Sequence, residues 1–212
     1  MKNKNHLEEL IERYPVLSSV KGEIQKAAEC LISCYRNGGK VLVCGNGGSC
    51  SDSDHIVAEL MKGFVLKRSI GDDLKNKLRV SGGDRGRYLS EKLQQGLPAI
   101  SLAAHASLIF AMANDTDPDI VFAQQVAGYG NKGDILISIS TSGNARNVID
   151  AAIVAKAKGM TVIGLTGEAG GQIKTYCDIL INVPGEKTHL IQGLHLPVYH
   201  TICLIVEDSV FD

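Results

Sequence analysis

The feature that most constrains how this chain can fold is a repeated unit: an uninterrupted apolar run, a turn of small residues, and a helix-forming stretch. KVLVCG at 40–45 leads through NGGSC into a helical segment at 49–62, and DILISIS at 134–140 leads through TSGN into another at 144–158. PAISLAA at 98–104, TVIGLTG at 161–167 and CDILINVP at 177–184 are runs of the same kind, and helical sequence follows the first of them within 106–130. These runs are apolar at consecutive rather than alternate positions, as expected of strands covered on both faces. Such strands separated by helices predict a doubly wound α/β domain, a parallel sheet with helices on both sides. At 212 residues one domain spanning 1–212 is expected, large enough to bury about 70 % of its unfolded surface.

Around that sheet, the first 37 residues read as an N-terminal helical segment. Leu7, Leu10, Ile11 and Tyr14 recur at helical spacing, Pro15 interrupts, and Val20, Ile24, Ala27, Ala28, Leu31, Ile32 and Tyr35 resume it up to a stop at Asn37-Gly38-Gly39. The last segment, His189 to about Asp208, is too apolar for a surface helix, so a long C-terminal helix under the sheet or between subunits is expected. Residues 65–97 do not fit a minimal sheet. They are polar and charged, broken by Ser81-Gly82-Gly83, with a short helical pattern at Tyr88, Leu89 and Leu93, and read as an inserted excursion, either a lid or a solvated insertion.

A formal net charge of −1 leaves no electrostatic footprint for nucleic acid or a membrane surface, so any anion must be held locally. The amphipathic start, MKNKNHLEELIERY, has no apolar core of a leader or anchor, and a cytoplasmic location is the expectation. The six cysteines show no CxxC spacing and sit mostly inside apolar runs, as buried free thiols do; Cys50, beside a glycine turn, is the one to watch.

Two turns point to anion binding. Gly45-Asn46-Gly47-Gly48-Ser49 and Ser140-Thr141-Ser142-Gly143 each join a strand to a helix. Glycine permits close approach, the helix start leaves N–H groups free, and the dipole there favours negative charge. Ser140, Thr141 and Ser142 add three hydroxyl donors, enough to wrap a phosphate monoester without lysine. GNGGSC lacks the third glycine of a dinucleotide fingerprint and no GxxxxGK[ST] is present, so neither a dinucleotide site nor a P-loop is expected.

Chemistry-bearing residues follow each turn. His55 and Glu59 are four apart, on one face of the helix that starts at the first turn. HLIQGLHLPVYH supplies Gln192, His195 and His200. Gln192 and His200 are separated by about 12 Å of helical rise, so a single metal takes both only if the helix breaks near Pro197 or if they serve sites in different subunits. His195 is expected as a hydrogen-bonded interface histidine; His6, His105 and His189 have no evident partner.

CGNGGSCSDSDHIVAEL, ISTSGNARNVI and IQGLHLPVYH, in this order and spacing, resemble the sugar isomerase (SIS) domain family, specifically the phosphoheptose isomerases, over nearly the whole chain except about 65–97. The resemblance implies a flavodoxin-like, five-stranded parallel sheet. It implies a homotetramer with active sites shared between subunits, converting sedoheptulose 7-phosphate to a heptose 7-phosphate, with one zinc ion per site. By motif, Asn46, Gly47, Gly48 and the adjoining Ser49 would line the substrate, with Asn114, Asp115, Glu59 and Gln192. Ser140, Thr141 and Ser142 would hold the phosphate. His55, Glu59, Gln192 and His200 would be the zinc ligands, and Glu59 with His200 the acid–base pair. Three departures stand out: Ala145 replaces a phosphate-binding serine, Gly63 replaces a basic residue beside Lys62, and the 65–97 excursion is longer than the family's link. An isomerase of another ketose phosphate remains open as an alternative, as does a non-catalytic regulator of the replication-initiator-associating type. A sugar-sensing transcription factor module is disfavoured by the missing helix-turn-helix or basic segment.

Overall fold

In the computed structural model, which describes residues 5–211, the repeated apolar runs become a single five-stranded, all-parallel sheet: β1 (Val41–Gly45), β2 (Ala99–Ser101), β3 (Ile135–Ile139), β4 (Thr161–Gly167) and β5 (Ile179–Val183). Their order is β2-β1-β3-β4-β5. Registers run Val41 against Ala99 and Ile135, Ile135 against Thr161, and Ile163 against Ile179. β1 and β3 are buried at every position, which is why their sequences are continuously rather than alternately apolar.

Helices cover both faces. On one side lie α1 (His6–Arg13), α2 (Lys21–Arg36), α3 (Gly48–Met61) and the long α8 (Thr188–Phe211), sharing a core built on Ile24, Leu31, Val43, Ile56, Ile137 and Val198. On the other, α6 (Val121–Tyr129) and α7 (Arg146–Ala157) pack on Leu42, Leu136 and Val162. α5 (Ala106–Asp115) lies over this second cluster without burying any residue completely. A six-residue 3₁₀ stretch at Pro15–Val20 joins α1 to α2, so the N-terminal segment ends at the glycines after Arg36 as expected; its first four residues lie outside those described.

The excursion is helical. α4 (Asp72–Lys92) folds on itself at Gly83, whose φ of 51° and ψ of −132° no ordinary helix contains. Its first arm begins with Asp72 and Asp73 and is laced by the Asp73–Lys77 pair at 2.7 Å, which favours a helix that buries little. A bridge between Ser69 and Gln94 closes its neck.

α8 decides one open alternative and corrects one expectation. It runs unbroken through Pro197, although proline there leaves the Gly193 carbonyl without its i+4 donor. It is long and apolar enough to cross a membrane by composition alone, yet half of that window is buried, against α2, α3, β4 and β5. His195 is wholly buried within its own chain, not at an interface. Its Nε2 lies 3.2 Å from the Thr166 carbonyl of β4 and donates to it.

Burial pushes the His195 pKa down to about 4, against a smaller opposing effect of the Thr166 bond. A histidine held neutral in the fold costs nothing above its ordinary value near 6.5. As pH falls below that, the unfolded chain takes up a proton the folded one refuses, so stability is lost between about pH 6.5 and 4, by at most about 3 kcal/mol. The His195→Gln variant, which keeps a donor for Thr166, is expected to lose this part of the acid sensitivity, measured by urea unfolding in steps from about pH 7 to pH 4.5.

Candidate active site

A strand order of 2-1-3-4-5 reverses direction at β1: the chain crosses to β2 on one side and to β3 on the other. Helices leaving β1 and β3 therefore depart on opposite faces, and the crevice between their first turns is where open α/β sheets bind ligands. Both glycine- and hydroxyl-rich turns lie at that point. After β1, Gly47 adopts φ 57° and ψ −122° to start α3, a conformation that L side chains rarely take. After β3, Ser140 to Ala145 lead into α7, which has no side-chain cap of its own, so its first N–H groups are left for another partner.

The two turns are locked together by a reciprocal amide pair. Asn46 Nδ2 donates to Asn147 Oδ1 at 2.8 Å, and Asn147 Nδ2 donates back to Asn46 Oδ1 at 3.0 Å. Between them lies a cavity of about 320 Å³, lined on one side by Asn46 to Ser49 and on the other by Ser140, Thr141, Ser142 and Ala145. Thr188 and Gln192, from the first turns of α8, close it. The expected phosphate-binding residues are thus assembled, and Ala145 leaves its corner without a hydroxyl. Asn147 and Thr188 are additions. A threonine opening an apolar helical run was the available signal for Thr188, whereas nothing local marks Asn147.

Further along the same helices a second group converges. His55 Nε2 stands 3.3 Å from Glu59 Oε1 and 3.4 Å from His200 Nε2, and Lys62 Nζ reaches Glu59 Oε2 at 2.8 Å. Tyr199 donates its hydroxyl proton to Asp52 Oδ1 at 3.2 Å, so its oxygen accepts from His55 Nδ1 at 3.0 Å. Nδ1 of His55 then carries a proton, and Nε2 faces Glu59 and His200. Phe64 packs edge-on against the His200 ring, centroids 5.3 Å apart. Burial, helped by neighbouring His55, lowers the His200 pKa, while Glu59 opposes the shift. Burial raises that of Asp52.

The expected metal ligands are divided within one chain. His55, Glu59 and His200 meet, whereas Gln192 stands against Gly48 in the cradle. Two imidazole nitrogens and a carboxylate oxygen are donors that suit zinc. Here they form a chain with His55 in the middle, and among the described residues no group of three or more His, Cys, Asp or Glu is arranged around a single point. His200 opens into a different cavity, about 210 Å³, with Arg13, Tyr14 and Phe64. Asn114 and Asp115 lie exposed at the end of α5, bonded to each other and outside the cradle cavity. Cys50 has its pKa raised by burial and then by Asp54, which withholds the thiolate a nucleophile needs.

The SIS domain model matches residues 5–76 and 88–167, passing over the tip of the folded helix α4 rather than all of 65–97 and ending with β4. The chain belongs to the SIS domain family. It is 39% identical over 208 residues to a phosphoheptose isomerase of Laribacter hongkongensis, covering 97% of this chain and 93% of that protein. It is 39% identical over 186 residues to one of Rhodospirillum rubrum, covering 88% and 85%. The fold is similar to phosphoheptose isomerase GmhA of Neisseria gonorrhoeae, with a TM-score of 0.74, 33% identity and coverage of 96% and 95% of the two chains. A phosphoheptose isomerase of Francisella tularensis superposes with a TM-score of 0.77 at 32% identity, covering 95% and 94%.

A Cβ on Gly48 would fall 2.4 Å from Gln192 Nε2, the far end of a side chain that can move. Gly48→Ala is therefore expected to leave unfolding free energy within about 1 kcal/mol while displacing Gln192 into the cradle. Inorganic phosphate should bind about tenfold more weakly, a loss of some 1.4 kcal/mol, read by isothermal titration.

Proposed function

We propose that this chain is an aldose–ketose isomerase of phosphorylated sugars, converting sedoheptulose 7-phosphate to a heptose 7-phosphate through an enediol. The observation that carries the reading is the pairing of two ends. A phosphate-sized cradle sits at the sheet's reversal point. The two helices that begin at it, α3 and α8, carry a carboxylate and an imidazole on one shared corner. The full-length likeness to proteins named phosphoheptose isomerase supports the same chemistry.

Isomerisation moves a proton between C1 and C2 and needs a base at carbon, an acid at oxygen and help for the developing negative charge. Glu59 is the base: its carboxylate removes the proton from one carbon, holds it through the enediol, and returns it to the other. His200 is the acid, its N–H protonating the carbonyl oxygen as that oxygen gains charge. Ser140, Thr141, Ser142 and the α3 and α7 starts bind the phosphate, and this remote binding orients the reacting carbons. Zinc, held by His55, Glu59, His200 and Gln192, would supply polarisation of the carbonyl.

Cradle and corner open into separate cavities of one chain, about 12 Å apart along α8. This favours an assembly in which one subunit's cradle, with its Gln192, faces a neighbour's Glu59 and His200, hence a homotetramer with shared sites. No nucleic acid or membrane partner enters this reading, and a phosphorylated sugar as substrate favours a cytoplasmic enzyme. Ala145 and the folded helix α4 favour a second reading, in which the same chemistry serves a different ketose phosphate; a panel of five-, six- and seven-carbon sugar phosphates separates the two.

Turnover of sedoheptulose 7-phosphate by the purified protein is the primary test. Glu59→Gln is expected to reduce kcat by about a thousandfold with KM changed little, because the phosphate cradle is untouched. A Glu59→Gln enzyme as active as the unaltered one would remove the assignment.

A further inference from the structure

The molecule's most deeply buried ion pair is not part of either cavity. Arg68 is 2% exposed and Glu207 not at all, and Arg68 Nε donates to Glu207 Oε1 at 2.6 Å. Taking two charges out of water costs several kcal/mol per ion, and an apolar pair of similar volume often serves stability equally well or better. What such a pair adds is fixed direction, and here every direction leads to the acid–base corner.

Arg68 also donates from Nη1 to the Leu60 carbonyl at 2.7 Å and from Nη2 to the Glu59 carbonyl at 3.2 Å. Both belong to the last turn of α3, whose carbonyls have no partner within the helix and after which Lys62 is extended. Arg68 is thus the cap of the helix that presents Glu59. Glu207 meanwhile accepts three consecutive backbone N–H groups of the segment that follows: Phe64 at 2.8 Å on Oε1, then Val65 at 2.8 Å and Leu66 at 3.1 Å on Oε2. That segment holds Phe64 against the His200 ring and starts beside Lys62, which grips the Glu59 carboxylate. Glu207 lies seven residues after His200, two turns along α8, so one helix carries both the imidazole and the anchor of the ring packed on it.

We propose that Arg68 and Glu207 are positioning residues for the isomerisation, fixing Glu59 through the end of α3 and His200 through Phe64 without touching substrate. The proposal rests on the assignment of Glu59 and His200 as the acid–base pair. A displacement of about 1 Å at a reacting group can cost a hundredfold in rate, which is the scale such a clamp controls.

Two variants test it. Arg68→Lys keeps a cation for Glu207 but lacks the planar fork that reaches two carbonyls at once. Arg68→Met combined with Glu207→Leu removes both charges together, which leaves no lone buried charge, but it takes the carboxylate acceptor from the Phe64, Val65 and Leu66 N–H groups, so a lower melting temperature is expected. Both are expected, at a temperature where they remain folded, to lose at least tenfold in kcat for sedoheptulose 7-phosphate and to hold KM within twofold. A merely structural pair would leave kcat unaltered in whatever fraction of each variant stays folded, so unaltered kcat in either folded variant overturns the proposal. The second readout needs no turnover: in protein with isotope-labelled histidine, the His200 ring protons should shift as Phe64 moves, with the His189 signal unmoved. An unshifted His200 signal also overturns it. Failure of the unaltered protein to act on the sugar would count against the isomerase reading, and the His200 signal would still decide the clamp.

Discussion

Everything at this site depends on the reversal of strand order at β1. A parallel sheet that grew in one direction only would send successive helices to the same face and leave no gap between their first turns. Because β2 and β3 flank β1, α3 and α7 leave on opposite faces, and the two turns before them are neighbours without a helix between them. The Asn46–Asn147 pair then closes the remaining freedom, since each amide satisfies both a donor and an acceptor of the other. A crevice floored by backbone N–H groups and rimmed with hydroxyls needs no basic residue to hold an anion, which agrees with a chain carrying almost no net charge.

The same geometry explains why polar chemistry sits so near an apolar core. α3 packs its Ile56 and Leu60 against β1 and α8 while His55 and Glu59 occupy the adjoining stripe. The corner is therefore bordered by packed hydrophobic surface on one side and open on the other. Burial depresses the basicity of His200, and the Tyr199–Asp52 link gives His55 Nδ1 an acceptor and so orients the ring. The second effect needs no residue outside the two helices, whereas Phe64 shares in covering His200.

How much of this is legible in the sequence follows from how far apart the interacting residues are. The strands were readable because burial on both faces writes itself as consecutive apolar residues. The cradles were readable because glycine and hydroxyl residues at a strand–helix junction have few other uses. The first arm of α4 was not, because its helicity comes from Asp72, Asp73 and their lysine partners rather than from an apolar stripe. Asn147 and Arg68 were invisible for a different reason: their partners lie 101 and 139 positions away. Glu207 did leave a trace, a carboxylate in the apolar run LIVEDS, since a charge among core residues implies a partner. His195 was read as an interface residue because an imidazole in an apolar helix needs an acceptor; the sequence could not reveal that Thr166, under the same helix, supplies it.

α8 has the role of a ruler. Thr188 and Gln192 face the cradle, His195 reaches β4, Tyr199 and His200 form the corner, and Glu207 anchors the segment after α3. Its intervening residues, among them Ile191, Val198, Ile202 and Val206, are buried in the core. Within one chain the span from cradle to corner is consequently set by one continuous helix rather than by loops, and helical rise per residue is nearly invariant. Pro197 removes one hydrogen bond in the middle of that span, yet packing against α2 and α3 keeps the helix whole. An insertion or deletion between Gln192 and His200 would rotate one against the other about α8, so the cradle and the corner could no longer both keep their places against the sheet and α3.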